Sequence, residues 1–193
     1  MSFAVIDVTE QMETKAQNIR LERDKIYGNI YVEKDTDLRW VGDLGEICFN
    51  QWLKQEGFCD YHWHLRNSAG NPDFTLGDIK IDIKTVKRKV PPKADYTAQI
   101  TGRHKDSPAD ELFFYSYQYL VKKMWLLGGI SKTAFISKAQ HYKGGENVHS
   151  NYQIREGHEI YNAPLSILIS SDKWISNLKE KIKSTTAGDS GLE

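Results

Sequence analysis

Asp73, Asp82 and Lys84 are the residues of this chain whose types and spacing most directly suggest chemistry. They lie in two alternating runs, Asn71-Pro72-Asp73-Phe74-Thr75-Leu76 and Ile79-Lys80-Ile81-Asp82-Ile83-Lys84, separated by Gly77-Asp78. Gly77 stands where a type II′ turn needs positive φ, so the stretch reads as a two-residue β-hairpin. Leu76 then faces Ile79, Thr75 faces Lys80, Phe74 faces Ile81 and Asp73 faces Asp82. Every apolar side chain falls on one face, while Asp73, Thr75, Lys80, Asp82 and Lys84 share the other. Two carboxylates opposed at about 4.5–5.5 Å between Cβ atoms repel unless a cation lies between them. A hard divalent ion bound by oxygen, such as Mg²⁺, suits that role. Lys84 projects from the same face one step further along, where an ammonium can stabilise charge developing on a phosphate or help position an attacking water. The chemistry suggested is phosphodiester hydrolysis. The competing reading is an exposed polar hairpin in which Lys80 and Lys84 pair with Asp82 for about 0–1 kcal/mol.

The elements around the hairpin are read from periodicity and punctuation. Thr14 to Lys25 predicts a first helix, stopped by Tyr27-Gly28-Asn29. Leu38 to Glu56, closed by Gly57, predicts a second, with Trp40, Val41, Leu44, Ile47, Cys48 and Trp52 on a broad stripe suited to packing on a sheet. Phe58 to Arg66 alternates as a strand, and Tyr96 to Ile100, Leu112 to Tyr119 and Lys123 to Leu127 are further strands. Ser131 to His141 reads as a helix, Ile160-Tyr161 as a short extended piece, and Asp172 as the N-cap of a last helix carrying Trp174, Ile175, Leu178 and Ile182. One domain over residues 1–183 is expected, its first 37 residues a helical or extended segment packed on it, with 184–193 a loose tail.

Pro72-Asp73 followed by Asp82-Ile83-Lys84 resembles the signature of the PD-(D/E)XK nuclease superfamily, and Gly42-Asp43-Leu44-Gly45-Glu46 has the form of the helix that precedes the hairpin in many members. The resemblance covers roughly residues 38–88. It implies an α/β, restriction-endonuclease-like core, a central mixed β-sheet flanked by helices. It further implies that Glu46, Asp73, Asp82 and the Ile83 carbonyl bind one or two Mg²⁺ ions, with Mn²⁺ able to substitute, and that Lys84 is the catalytic lysine. Glu46 lies about 150° from the apolar stripe but beside Phe49 and Leu53, on the border of a second packed surface. Gly42 and Gly45 offer the helix a close approach to the sheet or to a phosphate backbone. Gln99 is similar to polar residues that some members place near the site. The downstream Gln-x-x-x-Tyr pattern of the recombination-exonuclease branch is missing, which favours phage-type or restriction-type endonucleases.

Composition sets the outer limits. The 193 residues carry 26 Lys and Arg against 26 Asp and Glu, so a general nucleic-acid coat protein is disfavoured. The charge is uneven, however. Residues 80–105 hold eight basic residues against Asp82 and Asp95, a local +6. Lys80, Lys87, Arg88, Lys89, Arg103 and Lys105 are therefore the expected contacts to a DNA backbone on either side of the site. Two cysteines and no long apolar run predict a cytoplasmic protein with no membrane span and no leader. Cys59, His62 and His64, with Cys48, lack the spacing of a zinc site, and the strand-spaced Tyr115, Tyr117 and Tyr119, with Trp125 and Phe135, read as core rather than base-stacking groups. No nucleotide-binding or serine-hydrolase motif suggests an organic cofactor or another hydrolase. The expected function is a Mg²⁺-dependent DNA endonuclease, and the resemblance allows a homodimer. The alternatives are a nuclease-fold nucleic-acid-binding module without activity, or a structure-specific nuclease acting on branched DNA or RNA.

Overall fold

The computed structural model describes residues 3–28, 38–66 and 71–188. In chain order the elements are β1 (Ala4–Asp7), α1 (Glu10–Tyr27), α2 (Trp40–Gln55), β2 (His62–Trp63), β3 (Phe74–Leu76), β4 (Ile79–Arg88), β5 (Thr97–Thr101), β6 (Glu111–Gln118), β7 (Lys123–Ser131), α3 (Lys132–Lys138), β8 (Gln140–Lys143), β9 (Asn147–His149), β10 (Tyr152–Gln153), β11 (Glu159–Pro164) and α4 (Ser171–Gly188). A six-stranded sheet has the order β1-β7-β6-β4-β3-β2, and β5-β11-β8 form a second sheet. The first sheet is mixed: β4 and β6 run parallel, and the other pairs are antiparallel. The fold is therefore mixed α/β, with helices flanking a mixed sheet.

Two apolar layers fix this arrangement. On one face Ile81, Ile83, Phe113, Tyr115 and Tyr117 meet Leu44, Cys48, Phe49 and Trp52 of α2 and Trp174, Ile175 and Leu178 of α4. On the other, Leu112, Phe114, Leu127 and Ile130 pack against Ala98, Ile100, Phe135, Tyr161 and Ala163 of the second sheet and α3. Asp82 and Lys84, which alternate with Ile81 and Ile83, project to this second side.

The hairpin follows turn chemistry. Gly77 has φ +56°, Asp78 stays out of the left-handed region, and the pairs are Leu76↔Ile79, Thr75↔Lys80 and Phe74↔Ile81. Asp73 does not continue the ladder opposite Asp82. Its N–H goes to the Ile81 carbonyl (3.0 Å), and its carboxylate turns inward.

Other expectations shift for local reasons. Only His62–Trp63 of the expected Phe58–Arg66 strand is extended. Gly57 at φ +83° and a bond from Phe58 N–H to the Leu53 carbonyl keep the chain in the last turn of α2. The helix expected over Ser131–His141 ends at Lys138, because Gln140–Lys143 pairs with β11. Strand β7 runs on to Ser131, and α1 begins at Glu10, where Thr9 caps it by accepting from Met12 N–H. Asp172 lies inside the first turn of α4, whose N-terminal bond runs from Trp174 N–H to the Ser170 carbonyl, so it adds favourable charge rather than the cap. Helix α4 continues through the expected tail as far as Gly188. Asn29, the rest of the N-terminal segment to residue 37, and residues 189–193 lie outside the described residues.

Gly45 sets the helix–sheet distance. A Cβ there would stand 1.9 Å from Thr85 Oγ1 and 3.4 Å from Ile83 Cγ2, whereas one at Gly42 would meet nothing within 4 Å. Gly45→Ala should therefore destabilise by about 1–3 kcal/mol through overpacking. Gly42→Ala should be neutral or mildly stabilising, as expected for an open helix position. Urea melts of the two variants check this; equal midpoints would show that Gly45 does not set the spacing.

Candidate active site

Where β3 ends, β4 continues, and its freed edge is where the predicted residues gather. Ile83 N–H, with no β3 partner left, donates to Asp73 Oδ2 at 2.7 Å. A strand residue's N–H and C=O project to the same edge, so the Ile83 carbonyl also faces this vacated side. Asp73 is half-buried, and its carboxyl is pushed well above the ordinary range. Burial is the largest cause, followed by the charge of Glu46; Lys84 opposes, Asp82 adds to the rise, and the Ile83 bond opposes. Asp73 thus lies between two ionic groups.

The first group centres on Glu46, which is 5% exposed. Arg23 of α1 grips it with a two-pronged pair, NH1 to Oε1 at 2.6 Å and NH2 to Oε2 at 2.8 Å, and Trp63 Nε1 donates to Oε2 at 2.9 Å. The same guanidinium reaches Asp43 Oδ1 at 2.5 Å and donates from Nε to the Leu65 carbonyl at 3.1 Å. Arg20 completes Asp43 with contacts of 2.7 and 2.8 Å. Burial alone would lower the Arg23 pKa, but the bond and charge of Glu46 outweigh it and hold the guanidinium firmly charged. Asp43, 0% exposed, is raised, because desolvation exceeds the help of its two arginines.

The second group is on the other side of β4. Asp82, 2% exposed, accepts from Lys84 Nζ at 3.2 Å and from Ser107 Oγ at 3.4 Å. His104 Nδ1 stands 3.3 Å from Lys84 Nζ and 3.8 Å from Asp82 Oδ2. The turn that carries it, Gly102–His104, leads to Ser107, whose carbonyl accepts from Lys132 Nζ. Burial, then the Lys84 charge, lowers the His104 pKa to about 4, with Asp82 opposing. A neutral imidazole can accept a hydrogen bond from the Lys84 ammonium.

Asp73 and the Ile83 carbonyl thus share the vacated edge of β4, with Glu46 held on one side of it and Asp82 and Lys84 on the other. Among the described residues, however, no three carboxylate, imidazole or thiol groups stand close enough as arranged to hold a metal ion. The donor chemistry is nevertheless of the kind a hard divalent ion takes, carboxylate and carbonyl oxygens, with Asp82 and Glu46 almost wholly buried. Arg23 and Lys84 meanwhile serve as the protein's own counter-cations.

The basic residues divide. Lys80 is exposed on the Asp82 face, and Arg103 and Lys105 are exposed on either side of His104. Lys87 is on the opposite face, over the rings of Trp40 (5.4 Å) and Tyr119 (4.6 Å). Arg88 lies over Tyr96 at 4.4 Å, and Lys89 is exposed at the end of β4. Gln99 is exposed on β5, its amide 3.2 Å from the Tyr152 hydroxyl, rather than joined to the carboxylates. Cys48 is a buried thiol raised to about 12 by desolvation, Cys59 is exposed, and His64 bonds Thr75 Oγ1 at 2.8 Å. Arg23, Trp63, His104 and Ser107 are the site residues that motif reading missed. The legible signal was spacing: Arg20 and Arg23 stand three apart on one helix, as do Asp43 and Glu46 on the next.

Among the described residues no helix is long and apolar enough to cross a membrane. Compared with protein-family models, curated proteins and solved structures, the chain finds no match.

The His104 environment has a consequence for stability. In the unfolded chain this side chain takes up a proton near 6.5, whereas in the fold it stays neutral down to about 4. Between those values the unfolded state binds more protons, so His104's contribution, complete above about pH 6.5, is lost as pH falls towards 4. Asp73, raised, gives the opposite slope in wild type and variant alike. His104→Gln should therefore flatten the fall in Tm between about pH 6.5 and 4; parallel acid limbs would show that His104 is not held neutral.

Proposed function

We propose that the chain is a divalent-metal-dependent nuclease of the PD-(D/E)XK type with a restriction-endonuclease-like core, hydrolysing phosphodiester bonds in DNA as an endonuclease. The observation that carries this reading is the Asp73 carboxyl, held by Ile83 N–H and raised by burial and by the charges of Glu46 and Asp82, with Lys84 the largest opposing influence. A carboxyl held in place at cost to its own ionisation, near two other acidic side chains and a lysine, is what a site that recruits cations and phosphate needs. The helix, hairpin and Asp-x-Lys order on which the family resemblance rests supports the same reading.

Asp73, Asp82 and the Ile83 carbonyl would hold a Mg²⁺ ion, with Mn²⁺ as substitute, and Glu46 would complete the set. When bound, the ion supplies a polarised phosphoryl oxygen and a more acidic water. Lys84, kept within reach of the Asp82 carboxylate, offers an ammonium to the scissile phosphate or to the attacking water. His104, neutral and 3.3 Å from Nζ, holds that ammonium in place. Exposed Lys80, Arg103 and Lys105 would grip the phosphates on either side without reading sequence.

A second reading, a nucleic-acid-binding module without turnover, is favoured by one observation: Arg23 already occupies both oxygens of Glu46. Incubation with supercoiled, linear and branched DNA and with RNA, in Mg²⁺, Mn²⁺ or EDTA, separates the two. The nuclease reading expects metal-dependent nicking of circular DNA, abolished in Asp82→Ala and reduced at least about 100-fold in Lys84→Ala. Binding that persists in EDTA with no product from any substrate would favour the module instead. Cleavage unchanged in Asp82→Ala would remove the site assignment.

A further inference from the structure

Arg23, which no motif singles out, makes four hydrogen bonds, two of them to Glu46. Four of its five N–H directions are committed, to Glu46 twice, to Asp43 and to the Leu65 carbonyl, and its side chain is only 12% exposed. It has little left to offer a phosphate. Its effect falls on Glu46: of about four acceptor directions on a carboxylate, two at Oε2 are taken by Arg23 and Trp63 and one at Oε1 by Arg23. The remaining direction at Oε1 is the one through which Glu46 could reach an ion.

We propose that Arg23 is the positioning residue of this site: a fixed internal cation that competes with the divalent ion for Glu46, restricts Glu46 to one ligating oxygen, and so trades metal affinity for a set ligand geometry. The inference rests on the nuclease reading and extends it to a residue outside the motif. Carboxylates that bind metals are commonly oriented by such outer partners. Here the partner carries a full positive charge, so its removal should strengthen the attraction of the acidic cluster for cations while loosening Glu46. A purely structural arginine would not do this.

The test uses the full chain and compares wild type with Arg23→Gln, Arg23→Lys and Trp63→Phe. Mn²⁺ affinity is read by calorimetry, the Mn²⁺-induced change in Tm by thermal unfolding, and nicking by kcat. Arg23→Gln should melt lower without metal, bind Mn²⁺ about 10-fold more tightly, gain a larger Mn²⁺-induced rise in Tm, and still lose about 10-fold to 100-fold in kcat. Arg23→Lys, which keeps the charge without the fork, should restore wild-type Mn²⁺ affinity but not kcat. Should Arg23→Gln fail to fold, Trp63→Phe carries the test. It keeps the ring stacked on Phe74 but removes the N–H to Glu46 Oε2, and should lower kcat with Mn²⁺ affinity unchanged or raised. Unchanged or weaker Mn²⁺ binding in Arg23→Gln, or wild-type kcat in the charge-free variant, would overturn the proposal while leaving the nuclease reading intact. A wild type that binds no Mn²⁺ would overturn both.

Discussion

The bond from Ile83 N–H to the Asp73 carboxylate is the constraint on which the site depends. A two-residue turn at Gly77-Asp78 fixes the hairpin register, and the short β3 strand leaves the far edge of β4 without a partner. A backbone donor there must be satisfied. Asp73 satisfies it with a side chain, which draws a carboxylate into a region already holding Glu46 and Asp82. The sheet thereby gains an edge cap and acquires a concentration of negative charge. Burial and like charge lift the Asp73 carboxyl, and the fold tolerates this because Lys84 and Arg23 stand close by.

The surrounding elements serve to hold those charges in place. Close approach at Gly45 brings α2 onto β4, and the next residue, Glu46, meets Trp63 of β2. Helix α1 then lies on α2, setting Arg20 against Asp43 and Arg23 between Asp43 and Glu46. Breaking such a buried network by removing one partner is costlier than the net contribution of the network itself. The expected stripe on α2 is therefore only half of its buried surface: Asp43, Glu46, Phe49 and Leu53 are buried as well. On the opposite side of β4 the turn at Gly102–His104 folds back to place His104 and Ser107 beside Asp82.

The hairpin, its register as far as Phe74↔Ile81, and α2 were legible because turn chemistry and binary pattern gave the same answer independently. The turning inward of Asp73 was not, since it depends on where the ladder stops. Glu46 was reached through resemblance, and its burial followed from Phe49 and Leu53 beside it. Arg23, Trp63 and His104 escaped because each meets the site through packing between segments far apart in sequence. Lys87 is a different case. Strand alternation alone places it on the face opposite Asp82 and Lys84, so its assignment to the site went against a pattern already visible. The short strands β1, β8, β9 and β10 carry too few residues to register as periodicity and are defined by their partners.

The central claim is that the sheet edge concentrates acidic groups beyond what the protein's own cations neutralise, and that a divalent ion relieves the excess. Thermal unfolding of wild type and Asp73→Asn, each with EDTA or Mn²⁺, tests it directly. Asp73→Asn should melt at or above wild type in EDTA, because a strained carboxyl is gone, and should lack the Mn²⁺-dependent rise in Tm expected of wild type. A lower Tm in EDTA together with an undiminished response to Mn²⁺ would mean that Asp73 is an ordinary stabilising cap and that the site lies elsewhere.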